Sequence, residues 1–200
     1  VGGGGDQPEQ HLPAATVAMA KLDLDPSLGQ KVDAIRFARK FPGGKDYRED
    51  GDPREYAWKE LTKNVEGAPS WDKVSQWIGN RAAAAGMPDP ADAKKALPFL
   101  AISVTDEKQA LADMGGIKGS GVAAGDGWLY VTETAPQARL VLSAAQKAPL
   151  SGSTTFGADM DRLGEDGIAA FWLDAGAVSK LSTDAAGAVG VPLTGVGSTD

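Results

Sequence analysis

The stretch Thr16-Val17-Ala18-Met19-Ala20-Lys21-Leu22-Asp23-Leu24 alternates strictly, with Ala18, Ala20, Leu22 and Leu24 on one face and Met19, Lys21 and Asp23 on the other. A period of two over this length predicts a half-buried β-strand. Asp25-Pro26-Ser27 ends it, and Leu28, Val32, Ile35 and Phe41 then recur at helical spacing until Pro42-Gly43-Gly44. The same strand-then-helix order returns near the other end. Residues 17–23 (VAMAKLD) and 168–174 (IAAFWLD) share an aliphatic start, an alanine in second place and a closing Leu-Asp, and each precedes a predicted helix. Two readings are open: a duplicated strand–helix unit, with sub-units at about 13–96 and 97–183, or coincidence in a chain holding 33 alanines.

Between these stretches, Asp52-Pro53 leads into a helix whose apolar contacts are Tyr56, Trp58, Leu61 and Val65, and Ser70 is placed to cap a short helix bearing Trp71, Val74, Trp77 and Ile78. Residues 80–97 read as a short strand followed by a loop, because Pro88 and Pro90 break the pattern. A strand at 97–105 turns Leu100, Ile102 and Val104 one way, and Thr105 or Asp106 caps a helix running to Met114. Gly125-Asp126-Gly127 joins two short strands as a hairpin. Residues 134–148 form an alanine-rich helix stopped by Pro149, followed by a helix at 156–163, a strand at 167–173 and a helix at 175–181. The expected class is α+β, a mainly antiparallel or mixed sheet packed against helices. Residues 1–12 read as a Gly-rich linker, 13–183 as the domain, and 184–200, rich in Gly, Ala, Ser and Thr, as a truncated continuation.

The 200 residues carry a net charge of −7 with no cysteine and one histidine, His11. An acidic balance gives no general attraction to phosphate backbones, so nucleic acid is not an expected partner. Lack of cysteine excludes disulfides, Cys-ligated zinc, iron–sulfur clusters and thiol chemistry. No catalytic, cofactor or metal motif stands out. Ser70-Trp71-Asp72-Lys73 fits Ser-x-x-Lys without its companion motifs, and Gly119-Ser120-Gly121 with Gly125 reads as turn chemistry. Two acidic clusters, Asp46, Glu49, Asp50 and Asp52, then Asp159, Asp161, Glu165 and Asp166, lack calcium-loop spacing and read as solvated surface. His11 reads as an exposed loop residue. Trp58, Trp71 and Trp77 fall at core positions, leaving Trp128 and Trp172 as candidates for a ligand-facing surface. The densest cationic feature is Arg36, Arg39, Lys40, Lys45 and Arg48, read either as a solvated helix face or as a patch for an acidic partner or anionic lipid.

Taken in order, Gly2-Gly3-Gly4-Gly5, His11-Leu12-Pro13-Ala14, Leu22-Asp23-Leu24-Asp25-Pro26-Ser27, Arg36-Phe37, Lys40-Phe41-Pro42, Asp52-Pro53-Arg54, Trp77-Ile78-Gly79, Ala101-Ile102-Ser103-Val104-Thr105-Asp106 and Leu163-Gly164-Glu165-Asp166-Gly167 resemble the start of the extracytoplasmic part of a bacterial family known as domain of unknown function three-three-five-two. The resemblance implies a single-span anchor upstream of Val1, a Gly-rich spacer and an outward-facing domain at the cell membrane; it supplies no catalytic residue. The expected function is therefore a non-catalytic binding or interaction domain of a membrane-anchored envelope protein, its partner an envelope protein or a small ligand. The alternatives are an enzyme with dispersed carboxylates and serines, or a lipid-surface domain.

Overall fold

The computed structural model describes residues 6–23, 52–163 and 169–181. Among them six strands, β1 (Ala18–Asp23), β2 (Ile78–Asp89), β3 (Asp92–Val104), β4 (Gly121–Gly125), β5 (Trp128–Thr132) and β6 (Ala169–Leu173), form one sheet in the order β4-β5-β3-β2-β1-β6. Every neighbouring pair is antiparallel. Among the described residues six α-helices, α1 (Pro53–Thr62), α2 (Trp71–Val74), α3 (Glu107–Met114), α4 (Ala135–Lys147), α5 (Thr154–Leu163) and α6 (Ala175–Val178), complete an α+β fold, as expected.

Both faces of the sheet are covered over part of their extent. On one, Met19, Ala83, Ala85, Met87, Leu97, Phe99, Ala101, Trp128 and Tyr130 pack with Val141 and Ala145 of α4 and Phe156 of α5. On the other, Ile102, Val104 and Leu129 pack with Trp58 of α1, Val74 of α2, and Ala110 and Met114 of α3. Burial of this kind, at roughly 25 cal/mol per Å² of apolar surface, drives the assembly.

Local chemistry explains the elements. Asp52 accepts from Arg54 N to cap α1, Asp106 accepts from Gln109 N to cap α3, and Thr134 with Gln137 forms a capping box on α4. Asp126 (φ 56°) and Gly127 (φ 76°) occupy the left-handed region at both centres of the β4–β5 turn, the requirement of a two-residue hairpin.

The largest departure from expectation is the β2–β3 hairpin. Residues 80–97, expected as a short strand and loop, instead complete strands of 12 and 13 residues. The alanine run Ala82-Ala83-Ala84-Ala85 lies in a central strand between β1 and β3, where neighbours on both edges supply the order its own propensity lacks. Pro98 is tolerated because β5 pairs β3 only from Leu100 onward, so no ladder bond is needed on its free side. Smaller differences follow the same logic. On β1, Met19 and Lys21 are buried and Ala20 is exposed, because Lys21, 5% exposed, donates to both carboxylate oxygens of Glu9 at 3.0 and 3.2 Å. Leu61 and Val65 are exposed on the outer side of the α1 region rather than packed. Ser70 precedes α2 without a side-chain cap, and Ile78 begins β2.

The folded part begins earlier than residue 13: Pro8–Gln10 form a 3-10 turn, and Leu12 is fully buried. The expected helix at 28–41, the glycines of residues 2–5 and the tail at 184–200 lie outside the described residues. Among the described residues no helix is long and apolar enough to cross a membrane.

Candidate functional site

Trp128 and Trp172, expected as ligand-facing candidates, are core residues, 2% and 5% exposed. Trp128 stacks on His11 at 4.9 Å, and Trp172 donates to Asp159 at 3.0 Å while meeting Phe156 edge-on. His11 is consequently not an exposed loop residue but mostly buried, its side chain 14% exposed and its Nε2 at 3.5 Å from Asp6. Ser70 contributes its carbonyl, which accepts from Lys73 N and Val74 N. Gly119 (φ 75°) makes a turn after α3, and Gly121 lies directly under the start of α4. Asp52 is bound to Arg54, whose side-chain hydrogen bond holds its carboxyl below the ordinary range. Among the described residues no group of three His, Cys, Asp or Glu is placed to hold a metal. Arg36, Arg39, Lys40, Lys45 and Arg48 lie outside the described residues, as do Asp46, Glu49, Asp50, Glu165 and Asp166.

Buried polar groups serve the fold. Arg81 donates to Asp23 at 3.2 Å, and Ser103 Oγ accepts from Arg81 N and donates to Arg81 O, bridging the irregular register near Gly79. Tyr130 donates to the His11 carbonyl at 2.8 Å, and burial, reinforced by the charge of Asp126, raises its phenol far above the ordinary value.

Among the described residues, two surface depressions are candidate sites. The first, about 520 Å³, lies across the sheet. Register places Val131, Leu100, Ala84, Ala20 and Phe171 in one row over five strands, with Phe171 52% exposed. Glu133 is the one charged residue in its lining.

The second, about 610 Å³, runs between α4 and the far end of the β2–β3 hairpin. Pro136, Arg139, Leu140, Ser143, Ala144 and Lys147 line one wall, and Met87, Pro88, Pro90 and Ala15 the other. The α4 residues recur at one-turn spacing because Ala138, Val141 and Ala145 occupy the opposite, core side of the helix. The C-terminal end is pinned by Ala14 N donating to Ala148 O and Leu150 N donating to Leu12 O. The lining is apolar apart from Arg139, Ser143 and Lys147; Leu140, 37% exposed, stands next to Arg139, and Lys147 lies about two turns further along the helix. Among the described residues neither Arg139 nor Lys147 has an acidic partner.

Sequence reasoning passed over this wall, reading residues 134–148 only as an alanine-rich helix. The overlooked signal is that α4, in an acidic chain, contains Arg139 and Lys147 and no acid. No family model, no curated protein and no solved structure matches the chain.

Proposed function

We propose that the chain is a non-catalytic binding domain that presents the α4 groove to a partner, as part of a membrane-anchored bacterial envelope protein with this domain on the extracytoplasmic side. The groove carries the reading: apolar lining with exposed Leu140, and two cations, Arg139 and Lys147, that have no acidic partner among the described residues, on a helix whose other side is locked into the core. Exposed apolar surface bordered by polar groups is the usual signature of an interaction site. The sequence resemblance supports the placement outside the membrane.

A photo-crosslinking residue at Leu140, in the full-length protein in its own cells, tests the groove against the same residue at Leu111, an exposed apolar position on α3. Discrete adducts at Leu140 and none at Leu111 are expected; a blank at Leu140, or the same pattern at both, overturns the reading. Placement is tested separately by protease protection of intact cells and of lysates. Digestion that requires lysis, or a full-length gene product lacking an upstream apolar span, overturns it.

A further inference from the structure

We propose that the row Phe171, Ala20, Ala84, Leu100 and Val131 is the docking surface for residues 28–41 of the same chain, which pack across the strands as one helix with Leu28, Val32 and Ile35 against the sheet and Arg39 at Glu133. Ala83 and Ala85 face α4, so Ala84 and its row lie on the other side of the sheet, and this inference stands apart from the α4 groove.

The row is apolar and bare, whereas the same face is packed to either side of it. Phe171 is 52% exposed, Ala20 and Ala84 are exposed, and Leu100 and Val131 are half-buried. On β3, Ile102 packs with Trp58 of α1 and with Ala110 and Met114 of α3, while Ala96 packs with Val178 of α6 and with Leu181. Ile102 and Ala96 are six residues apart on the strand, which at 3.3 Å per residue is about 20 Å. Helices pack with their axes about 8–10 Å apart, so the elements over those two residues leave room for one helix between them. In the other direction, four strand spacings of about 4.8 Å make the row about 19 Å long, and a helix of residues 28–41 is about 21 Å long.

Connectivity and pattern select the occupant. The chain leaves β1 at Asp23, one residue past Leu22 on this face, and returns at Asp52 to α1, which packs on the same face. Residues 24–27 span up to about 13 Å and residues 42–51 up to about 33 Å, enough to start a helix beside Phe171 and to return from Val131. At about 100° per residue, Leu28, Val32 and Ile35 fall within about 60° of one another around a helix, and Arg39 continues their stripe about 17 Å from Leu28. The stripe therefore runs apolar, apolar, apolar, cation. Read from Phe171 to Val131 the row runs the same way, since Glu133, the one charged residue in its lining, follows Val131 on the same face. Among the described residues Glu133 has no cationic partner. The sequence beyond Leu181 does not fit the row, because Gly187, Gly190, Pro192, Gly195 and Gly197 interrupt any helix of that length.

The test uses the full 200-residue chain, whose lack of cysteine makes any introduced pair unambiguous. With Leu28 at Phe171, Ile35 comes about 10.5 Å along the row and Ala84, two strands on, about 9.6 Å. Ile35→Cys with Ala84→Cys is therefore expected to close a disulfide within one chain on mild oxidation, read by mass spectrometry of non-reduced digests. Val32→Cys with Ala20→Cys, at about 6 Å and about 4.8 Å, is the second expected pair. Asp33→Cys with Ala84→Cys is the control: Asp33 lies about 160° round the helix from Ile35 and should stay reduced, since a disulfide needs Cβ atoms about 4 Å apart. Ala20 and Ala84 are exposed, and unchanged melting of the reduced variants confirms that each folds. Arg39→Glu should slow closure of the Ile35–Ala84 pair roughly two- to fivefold, and Glu133→Lys in the same chain should restore it. Closure of either expected pair without closure by Asp33 supports the proposal; equal closure by Asp33, or closure of neither expected pair, overturns it. A rate unmoved by Arg39→Glu overturns the match to Glu133 and with it the direction of the helix. A disulfide between two chains carrying Ala84→Cys alone puts a second copy on the row, and adducts to another protein from a photo-crosslinking residue at Ala84 in cells put a partner there; either result overturns the proposal as well.

Discussion

Gly121→Ala probes the contact that holds α4, and with it the groove wall, against the sheet. Gly121 begins β4 beneath the first turn of the helix, and a Cβ there would overlap the Thr134 carbonyl carbon and the Ala135 nitrogen, both backbone atoms. No rotamer change relieves such a clash, so the start of α4 must lift by more than about 1 Å to recover a normal contact of ~3.5 Å. That movement costs about 2 kcal/mol of overpacking and threatens the Thr134–Gln137 capping box, worth about 1 kcal/mol, a total near 3 kcal/mol. For a chain of this size the melting temperature should fall by about 6–12 °C. Gly125→Ala is the control: at the other end of the same strand its Cβ meets Leu142 Cδ atoms at 3.1 and 3.3 Å, the movable end of a side chain, and should cost under about 1 kcal/mol. Differential scanning calorimetry of both variants decides the matter. Gly121→Ala melting within 2 °C or so of the parent, or no lower than Gly125→Ala, would show that α4 is not seated as described.

Tyr130→Phe should cost about 1 kcal/mol at neutral pH by removing the bond to the His11 carbonyl. Because the folded protein holds the phenol proton to higher pH than the unfolded chain, Tyr130's contribution is complete below about pH 10 and is lost above it. Urea midpoints from pH 7 to 11 should accordingly show the parent losing its lead over Tyr130→Phe in the alkaline range; a constant gap contradicts this. Thr16→Val should stabilise by about 1 kcal/mol, since Thr16 Oγ1 is buried without a hydrogen-bond partner among the described residues, and a lower urea midpoint would mean that the hydroxyl is satisfied.

What was legible in the sequence was whatever local chemistry decides. The β4–β5 hairpin follows from the conformational demands of Asp126-Gly127, and the α3 and α4 starts follow from Asp106 and Thr134. The β2–β3 hairpin was hidden because alanine has little strand preference and proline opposes it; pairing with β1, remote in sequence, and with β3 decides for Ala82 to Ala85. Lys21 in the core was hidden for the same reason, since its partner Glu9 belongs to a turn expected to be linker. The groove escaped notice because its walls, residues 136–147 and 87–90, meet only in the folded chain, and each alone reads as an ordinary helix or a proline break.

The two similar heptapeptides are a case in which sequence and structure bear on each other without either being sufficient. Aligned by sequence, Ala20 corresponds to Phe171, Ala18 to Ala169 and Leu22 to Leu173. In the sheet Ala20 pairs with Phe171, Ala18 with Leu173 and Leu22 with Ala169, the pattern that a local two-fold axis through the first pair would generate. The equivalent residues Lys21 and Trp172 are both buried, and each donates to a carboxylate, Glu9 or Asp159. At the next equivalent pair but one the roles separate: Asp23 pairs with Arg81, whereas Asp174 caps α6. The surroundings separate as well, because β1 has β2 on its other side and β6 has no second strand among the described residues. The likeness therefore reaches register and the placing of one buried donor, and stops there. What the two strands share is therefore an arrangement of faces: each buries a donor, Lys21 or Trp172, on the covered side of the sheet and turns Ala20 or Phe171 to the open one.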